Sequence, residues 1–393
     1  MNRFKYLIIG GGMTGDAAAH GIRELDATGS ILLVSGESHP PYNRPPLSKG
    51  LWKGESEEKV WRPLPNGVDL LLERRIVSLD AKQKQATDDK ATTYGFEKLL
   101  LATGGTPRRL PGASATDRVI YYRTYDDYRR LRDRVARPVR VAVIGGGFIG
   151  SEVAAAVRMQ DRDVVMIVPE QGLGARVFPA DLSAFLVDYY KKKGVETRIG
   201  EGVSGLENRG SQFSIKTTTG KEVVADLAVA GLGIVPNTDL AQQVGAKIDN
   251  GIVVDEHLRT TVTDIYAAGD AANFYNPALD MRLRVEHEDN ANTMGQAAGR
   301  AMAGSQQPYD HLPFFYSDLF ELGYEAVGEL DSRLQTFADW KERFREGVVY
   351  YLKDGRVRGV LLWNTWGQVD AARALIAEKG PFTANDLKGR LPA

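Results

Sequence analysis

The sequence predicts an α/β protein with two Rossmann-type domains and a small α+β C-terminal domain. A glycine-rich turn between an apolar strand and a helix occurs twice, at residues 10–15 and 145–150. Each copy leads to a second apolar strand that ends beside an acidic residue, Glu37 in the first copy and Glu170 in the second. From about His311 onwards, aromatic residues and β-like alternation replace this pattern, which indicates a third domain of mixed structure.

The first copy reads as a strand at 7–9, the turn Gly10-Gly-Gly12-Met-Thr-Gly15, a helix at 16–25 and a strand at 31–34. The second copy has a strand at 139–144, the turn Gly145-Gly-Gly147-Phe-Ile-Gly150, a helix at 151–159 and a strand at 164–168. A single glycine motif is weak evidence, because glycines also end helices and form ordinary turns. Two copies in the strand–turn–helix–strand context are specific for dinucleotide binding.

Each part of the repeated unit has a chemical reason. The glycines permit a tight turn and let the backbone approach a pyrophosphate closely. The start of the following helix offers backbone N–H groups and the positive end of the helix dipole to the phosphates. An acid at the end of the second strand accepts hydrogen bonds from a ribose. The sequence therefore predicts two nucleotide sites in one chain.

Composition excludes several other classes of function. The 393 residues carry a net charge of −1, which favours neither a nucleic acid nor a membrane surface as partner. We expect no membrane span, and a first strand that begins at about Tyr6 leaves no room for a signal peptide. The absence of cysteine excludes disulfides, thiolate nucleophiles and cysteine-ligated clusters, and it fits a cytoplasmic location. The five histidines are scattered, so no metal site is predicted.

Two more strands run into glycine, at 98–102 and at 265–268. The second of these ends at Gly269-Asp270, long after the second glycine turn, which suggests that the first domain resumes after an inserted one. A strand within 228–233, followed by Pro236-Asn237, is interpreted as the return crossing. The third domain is predicted to contain strands at 347–352 and 357–362 and a final helix at 369–378.

At this point the residues resemble a known family over essentially the whole chain. The segment Pro41-Tyr42-Asn-Arg44-Pro-Pro-Leu-Ser-Lys49 is similar to the flavin-contacting motif of the FAD-dependent ferredoxin, putidaredoxin and rubredoxin reductases. Further motifs narrow the resemblance to the bacterial relatives of apoptosis-inducing factor, within the pyridine nucleotide-disulfide oxidoreductase superfamily. They are Thr103-Gly-Gly-Thr-Pro107-Arg108, Gly147-Phe148-Ile-Gly-Ser-Glu152, Arg284-Val-Glu286-His287, Tyr316-Ser-Asp318 and Leu361-Leu-Trp363-Asn364.

The resemblance implies a fold like that of glutathione reductase. It assigns residues 1–112 and 236–310 to a split FAD-binding domain, 113–235 to an NAD(P)H-binding domain and 311–393 to the C-terminal domain. The chain departs from the family in two ways. It lacks a long loop that interrupts the C-terminal domain of the mitochondrial protein, and Tyr316 replaces the family's tryptophan.

The resemblance also implies the reaction. A hydride passes from NADH to N5 of FAD, and the electrons then leave for an acceptor such as a ferredoxin- or rubredoxin-type protein or a small molecule. Two alternatives stay open: an NADH-responsive redox sensor that forms a charge-transfer complex and dimerises, and a quinone reductase. The absence of an amphipathic anchor helix counts against the last. We expect a monomer or a homodimer.

For FAD, the glycine turn and Glu37 are predicted to bind the ADP half, and Asp270 the ribitol. Asp270 also suits the cap of a helix, and the two roles are compatible. Arg44 and Arg108 are predicted to contact phosphate or adenine, with surface salt bridges as the alternative. The complete prediction for FAD comprises Gly10, Gly12, Gly15, Glu37, Arg44, Lys49, Ala102, Thr103, Gly104, Arg108, Gly269, Asp270, His287 and Tyr316.

For the nicotinamide nucleotide, Phe148 resembles the residue that covers the flavin face, although an aromatic at this position also suits core packing. Glu170 is predicted to hold a ribose 2′-hydroxyl and to repel a 2′-phosphate, which favours NADH, whereas Arg176 could accept that phosphate. The complete prediction comprises Gly145, Gly147, Phe148, Ile149, Gly150, Glu152, Glu170, Arg176, Gly233 and Glu286.

The predicted catalytic set is Lys49, Glu152, Phe148, Glu286 and His287. The resemblance brings Lys49 and Glu152 together beside flavin N5, where the lysine would favour electron gain and the glutamate would hold it; the alternative is an ordinary interdomain salt bridge. The resemblance places Glu286 and His287 beside the nicotinamide and flavin, before a helix at 290–303. An alternative is a capped helix start with an exposed histidine. His287 is not assigned as a general base, because hydride transfer needs none.

Overall fold

The computed structural model describes residues 2–110, 118–210 and 212–392. These residues form two compact units that each draw on several stretches of the chain. The first unit consists of Met1–Asn43, Ser56–Thr106 and Val235–Phe314, and the second of Arg44–Glu55, Pro107–Ile234 and Phe315–Ala393. The predicted domain boundary at 112/113 lies outside the described residues. The assignment of three domains stays a prediction, and the segment Arg44–Glu55 belongs to the second unit.

The described residues contain strands and helices throughout, with four single turns of 3₁₀-helix at Pro45–Ser48, Gly50–Lys53, Glu57–Val60 and Gly269–Ala271. The strands are β1 (Asn2–Ile9), β2 (Ile31–Val34), β3 (Val68–Leu71), β4 (Ile76–Asp80), β5 (Gln85–Asp88), β6 (Thr93–Leu101), β7 (Gly105–Pro107), β8 (Val119–Tyr121), β9 (Arg140–Ile144), β10 (Asp163–Val168), β11 (Val195–Ile199), β12 (Val203–Arg209), β13 (Gln212–Thr217), β14 (Glu222–Ala225), β15 (Leu227–Ala230), β16 (Ile234–Pro236), β17 (Ile252–Val253), β18 (Ile265–Ala267), β19 (Ala272–Asn276), β20 (Met281–Leu283), β21 (Phe314–Leu319), β22 (Leu322–Gly328), β23 (Gln335–Glu342), β24 (Glu346–Lys353) and β25 (Arg356–Trp363). The helices are α1 (Met13–Leu25), α2 (Tyr125–Val135), α3 (Phe148–Arg158), α4 (Ala180–Lys192), α5 (Asp239–Gln243), α6 (Glu288–Met302), α7 (Val369–Ala377) and α8 (Ala384–Leu387).

The first unit is organised by a sheet in the order β3-β2-β1-β6-β5-β4, with β18 paired to β6. Strands β3, β2, β1, β6 and β18 run parallel, whereas β4 and β5 form an antiparallel extension. Leu7 and Ile8 of β1 are fully buried, as are Leu99 and Leu100 of β6. Burial of consecutive residues is expected of parallel strands covered on both faces.

Helices α1 and α6 pack unusually closely in this unit, and glycines make the approach possible. A Cβ atom at Gly299 would lie 2.1 Å from the Ala18 carbonyl oxygen, and one at Gly21 would lie 2.2 Å from that of Gln296. Alanine at either position would therefore push the two backbones apart. The close packing fixes where α6 begins relative to the first glycine turn.

The second unit contains a parallel sheet in the order β11-β10-β9-β15-β8. Helix α3 connects β9 to β10 in the right order for a nucleotide-binding unit. A small antiparallel sheet, β12-β13-β14, follows in the chain. A five-stranded sheet in the order β21-β22-β25-β24-β23 then carries α7 against β22 and β25.

Most element boundaries agree with the sequence prediction to within three residues, but β1 and β6 begin five residues earlier than predicted, at Asn2 and Thr93. The strand predicted at 31–34 is β2, and the helix predicted at 290–303 is α6. Both helices after the glycine turns begin three residues earlier than predicted, at Met13 and Phe148. The reason is that the last residues of each turn already have helical backbone geometry.

Candidate nucleotide and electron-transfer site

The first glycine turn leaves no room for a side chain at Gly10 or Gly15. Gly10 has a φ of 120°, and a Cβ atom there would lie 2.0 Å from the Ala102 carbonyl oxygen. A Cβ atom on Gly15 would lie 2.0 Å from the carbonyl oxygen of Gly10. No side chain caps the start of α1 at Gly12. The helix therefore presents an N-terminus of the kind that binds a phosphate group.

The register of the parallel strands brings the other predicted FAD residues to the same edge of the sheet. Ile9 at the end of β1 pairs with Val34 of β2 and Leu101 of β6, and Leu101 pairs with Ala267 of β18. The residues that follow these strand ends are therefore neighbours within the first unit. They are Gly10, Glu37, Ala102, Thr103, Gly104, Gly269 and Asp270.

Asn237 holds the predicted Thr103–Gly104 segment in place. Its amide nitrogen donates to the Thr103 carbonyl (2.9 Å), and its backbone N–H donates to the Gly104 carbonyl (3.0 Å). The hydroxyl of Thr103 donates to the Asn237 carbonyl (2.7 Å), and that of Thr106 to the Asn237 side-chain oxygen (2.8 Å). The chain leaves the first unit after Thr106 and returns to it at Val235. The hydrogen bonds of Asn237 hold these two points together.

Glu37 is oriented by a buried tyrosine from the motif that suggested flavin binding. The Tyr42 hydroxyl donates to Glu37 Oε2 at 2.6 Å, and the Tyr42 ring meets Trp61 edge to face at 6.0 Å. One oxygen of Glu37 is fixed by this contact. The arrangement suits an acid that accepts a hydrogen bond from a ribose.

Asp270 and Glu286 are linked by Arg284, which sequence reasoning did not assign to the site. The guanidinium of Arg284 donates to the Asp270 carbonyl (3.1 Å) and forms an ion pair with Glu286 (2.7 Å). His287 is the N-cap residue of α6 and makes no side-chain cap hydrogen bond. Glu286 and His287 therefore lie at the start of α6, where the helix dipole is positive.

The second glycine turn repeats the geometry of the first. Gly145 has a φ of 107°, and a Cβ atom there would lie 2.4 Å from the Gly231 carbonyl oxygen. A Cβ atom on Gly150 would lie 2.1 Å from the carbonyl oxygen of Gly145. At Gly147, by contrast, no atom lies within 4 Å of the position of a Cβ atom. No side chain caps α3, so its N-terminus also suits a phosphate.

Phe148 begins α3 and is half-buried. Its ring centroid lies 4.9 Å from that of Phe315. The following residue, Ile149, is 40% exposed. Phe148 thus has a packing partner on one side and solvent nearby, an arrangement that fits both the predicted covering role and simple packing.

Glu170 follows β10, as predicted, and forms an ion pair with Arg176 at 2.6 Å. Arg176 is otherwise largely exposed, with 84% of its side chain accessible to solvent. Gly233 has a φ of 76°, and its carbonyl accepts a hydrogen bond from the Arg108 backbone N–H (2.9 Å). The Arg44 guanidinium donates to the Arg123 carbonyl at 2.8 Å.

A polar cluster in the second unit surrounds the buried Glu152, which is 2% exposed. The Lys49 ammonium lies 2.8 Å from Glu152 Oε1, so the structure brings the predicted pair together. Ser317 donates to the same oxygen at 2.5 Å, and Ser48 donates to Oε2 at 2.5 Å. The Lys49 nitrogen also lies 5.1 Å from the centroid of the Tyr316 ring, as in a cation–π contact.

The charge of this cluster contributes to the raised pKa values of two buried tyrosines. Burial, followed by the nearby charge of Glu152, raises the pKa of Tyr324 and of Tyr190 well above 10. Both phenols therefore keep their protons. Tyr190 donates its proton to the Ser151 carbonyl at 2.9 Å.

The residues present fit the two predicted nucleotides. Each glycine turn keeps its helix start uncapped by a side chain, and each is followed by a strand end that carries an acid. Within the described part of the chain, no group of three or more histidine and acidic side chains is arranged to hold a metal ion. Sequence reasoning missed Ser48, Ser317, Arg284 and Asn237. Ser48, Ser317 and Arg284 lie in motifs that were recognised, so these motifs were the available signal.

Comparisons with known proteins agree with this description. The family model for pyridine nucleotide-disulphide oxidoreductases matches residues 4–295, and a model for the C-terminal domain of mitochondrion-associated apoptosis-inducing factor matches residues 298–343 and 338–378. Mitochondrial apoptosis-inducing factor 1 of Dictyostelium discoideum is 34% identical over 96% of this chain and 79% of its own length. The ferredoxin reductase subunit of the 5,5'-dehydrodivanillate O-demethylase of Sphingobium sp. is 33% identical over 96% of this chain and 94% of its own.

Among solved structures, putidaredoxin reductase in its covalent complex with putidaredoxin is similar, with a TM-score of 0.91 and 30% identity. The alignment covers 98% of this chain and 95% of that one. The predicted fold class and the predicted family resemblance are thereby confirmed. No helix of the described residues has both the length and the apolar character needed to cross a membrane.

Proposed function

Since the chain belongs to the pyridine nucleotide-disulphide oxidoreductase family, we propose that its first glycine turn holds FAD and its second holds NAD(P)H. The chain is an FAD-dependent NAD(P)H oxidoreductase, as the notable similarity to ferredoxin reductases over nearly its whole length supports. The single observation that carries the assignment of the two sites is the repeated glycine turn, in which Gly10 and Gly145 admit no side chain. Bound FAD supplies the hydride acceptor, and the protein supplies position and charge.

The remaining roles are those that the family resemblance implies. Glu37 and Asp270 hold the ADP half and the ribitol of FAD, and Lys49 with Glu152 lies beside flavin N5. Phe148 covers the flavin face that the nicotinamide occupies, with Glu286 and His287 close by. The test of resident FAD is direct: acid-precipitate the purified protein and identify the released flavin. FMN, or no flavin, in the supernatant would contradict the proposal.

We propose NADH as the preferred reductant. Glu170 places a negative charge where the adenosine ribose would be held. Its ion pair with Arg176 engages the arginine that could otherwise accept a 2′-phosphate. A 2′-phosphate would meet Glu170 and would have to compete with it for Arg176. The kcat/KM values for NADH and NADPH test this preference.

The proposed acceptor is a ferredoxin-type protein. One relative is a ferredoxin reductase subunit, and a similar structure was solved in complex with putidaredoxin. The informative experiment measures NADH oxidation by the flavin-replete protein with a panel of ferredoxins, quinones, ferricyanide and oxygen. Fast turnover with a ferredoxin supports the proposal, and turnover confined to quinones favours the quinone reductase.

A second candidate is an NADH-responsive redox sensor. It is favoured by the match of residues 298–343 and 338–378 to the apoptosis-inducing factor C-terminal model. The discriminating result is slow turnover with every acceptor, together with a long-lived charge-transfer band and dimerisation on reduction. Rapid turnover with one acceptor and no change in mass would exclude it.

One activity suggested by the family's description is excluded by composition. The chain has no cysteine, so it cannot reduce a disulfide through a thiol pair or cycle a cysteine sulfenic acid. Flavin-dependent disulfide reductase activity in a pure sample would contradict this statement. A cytoplasmic location and a monomeric or dimeric state stay predictions.

A further inference from the structure

Three separate stretches of the chain meet at the carboxylate of Glu152. Ser48 and Lys49 come from the segment Arg44–Glu55, Glu152 comes from α3, and Ser317 comes from β21. Both serine side chains are buried, and their hydroxyl groups contact opposite oxygens of the carboxylate at 2.5 Å. Lys49 shares Oε1 with Ser317.

The two serines do what the lysine cannot do alone. An ammonium group is a point charge with rotatable donors, so it fixes a carboxylate's position but not its plane. A hydroxyl on each oxygen defines that plane. A buried ion pair is also stabilising only where its remaining lone pairs are satisfied, and the two hydroxyls satisfy one on each oxygen.

We propose that Ser48 and Ser317 are positioning residues for the hydride transfer. They hold the Glu152 carboxylate in one orientation, and the carboxylate holds the Lys49 ammonium at the position from which it acts on the flavin. This inference rests on the proposed function, because it requires bound FAD near Lys49. The competing explanation is that the two hydroxyls only stabilise the fold, as any satisfied buried hydrogen bond does.

The test compares Ser317→Ala and Ser48→Ala with a matched control, Ser183→Ala. Ser183 lies in the same unit and is 3% exposed, and its hydroxyl donates to the Leu173 carbonyl at 2.8 Å, away from Glu152. Two quantities are measured on flavin-replete protein: the midpoint potential of the flavin and the rate of its reduction by NADH. Thermal unfolding of all variants reports the stability effect.

We expect each serine variant at the cluster to lower the midpoint potential and to slow flavin reduction by roughly 3- to 30-fold, the effect of a small misplacement. The control should lose stability but keep both the potential and the rate. In a Lys49→Met background, Ser317→Ala should no longer move the potential, because the serine acts through the lysine. If Ser317→Ala does not retain flavin, Ser317→Cys keeps the volume with a weaker donor, and Ser48→Ala tests the same carboxylate from its other oxygen.

The inference is overturned if the Ser48 and Ser317 variants match the control in potential and rate. It is also overturned if Ser317→Ala shifts the potential equally with and without Lys49. Failure of the proposed function has a different signature, namely wild-type protein that holds no FAD or is not reduced by NADH.

Discussion

The two glycine turns share a backbone design but differ in what surrounds them. In the first turn, Met13 and Thr14 are buried, and Cβ atoms at Gly269 and Gly295 would lie within 2.5 Å of Thr14. In the second turn, the matching residues are Phe148, which is half-buried, and Ile149, which is 40% exposed. The side chains near the end of the first turn are thus enclosed by their own unit, whereas those near the end of the second turn reach solvent.

This difference teaches that one motif can serve two kinds of binding. A closed turn, whose neighbouring strands and helix are packed around it, suits a nucleotide that stays bound after folding. An open turn suits a nucleotide that enters and leaves in each catalytic cycle. The motif itself predicts only a nucleotide, and from the packing around the two turns we expect the first to hold the nucleotide that stays bound.

The largest expected effect separates the two turns directly. Gly10→Ala would place a Cβ atom 2.0 Å from the Ala102 carbonyl oxygen at a φ of 120°, so we expect loss of flavin and a large loss of stability. Gly145→Ala, with a contact of 2.4 Å to Gly231, should disrupt the second turn but leave flavin bound. Flavin content and reduction by NADH are the measurements.

Gly147→Ala is the matched control for these variants, because no atom lies within 4 Å of its Cβ position and φ is −80°. It should fold normally and raise the KM for NADH, since the methyl group would meet the approaching pyrophosphate. Equal loss of flavin in Gly10→Ala and Gly145→Ala would remove the distinction between the turns.

The next largest effect is expected at Glu152, an acid of the second copy that has no counterpart in the first. Glu152 in α3 matches Ala17 in α1, so only the second turn carries an acid that pairs with Lys49. Lys49→Ala should keep FAD but slow its reduction by roughly 10- to 1,000-fold, as for other preorganised electrostatic contacts. Glu152→Ala should be non-additive with it, because the pair acts as one unit.

Stopped-flow bleaching of the flavin by NADH in both single variants and the double variant provides this measurement. Tyr316→Trp is a control variant, because it places the family's tryptophan beside Lys49. Its flavin should still be reduced rapidly by NADH. Near-wild-type reduction in flavin-replete Lys49→Ala would reduce the pair to a structural ion pair.

A smaller effect is expected for the choice between NADH and NADPH at the second turn. Wild-type protein should have a higher kcat/KM with NADH than with NADPH. Glu170→Gln should reduce the ratio of these two values on the order of tenfold, because it removes one charge that repels the 2′-phosphate. Arg176→Ala should leave NADH use nearly unchanged, since the arginine is paired with Glu170 rather than required for NADH. A wild-type ratio that favours NADPH would refute the assignment.

The smallest expected effect concerns the ion pair that Glu321 forms beside helix α4 in the second unit. Lys193 and Tyr189 of the α4 region bind Glu321, and their hydrogen bonds lower the pKa of this carboxyl from 4.5 to about 2. Because the folded pKa is depressed, the stabilisation is present above pH 4.5 and is lost as the pH falls towards 2.

Glu321 is 67% exposed, so its contribution is expected to stay below about 1 kcal/mol. Urea unfolding of the wild type and Glu321→Gln at pH 7 and pH 3 measures it. The difference in the free energy of unfolding should shrink at pH 3. A difference that does not change with pH would show that the ion pair does not tie α4 to the following sheet.

The sequence was sufficient for features whose signal is local. The glycine turns, the strands beside them and Glu37 and Glu170 follow from short motifs, and their positions agree with the structure to within a few residues. The pairing of Lys49 with Glu152 came from the family resemblance, since 103 residues separate them in the sequence (152 − 49). Their roles in catalysis stay predictions.

Other features depend on tertiary packing. Ser317 and Arg284 lie in motifs that the family resemblance identified, but no local pattern marks Ser317 as a partner of Glu152 or Arg284 as the link between Asp270 and Glu286. The short strand β5, whose only apolar residue is Ala86, carries too few apolar residues for periodicity to identify it.

The hydrogen bonds of Asn237 have a consequence for the way the chain leaves the host sheet and returns to it. They join Thr103, Gly104 and Thr106 to the point at which the polypeptide returns, so residues 107–234 leave and re-enter the host sheet at one place. Strands β6 and β18 on either side of this excursion are direct neighbours. A segment that leaves and returns at one place does not alter the strand order of its host, and insertions of this kind are well tolerated in proteins.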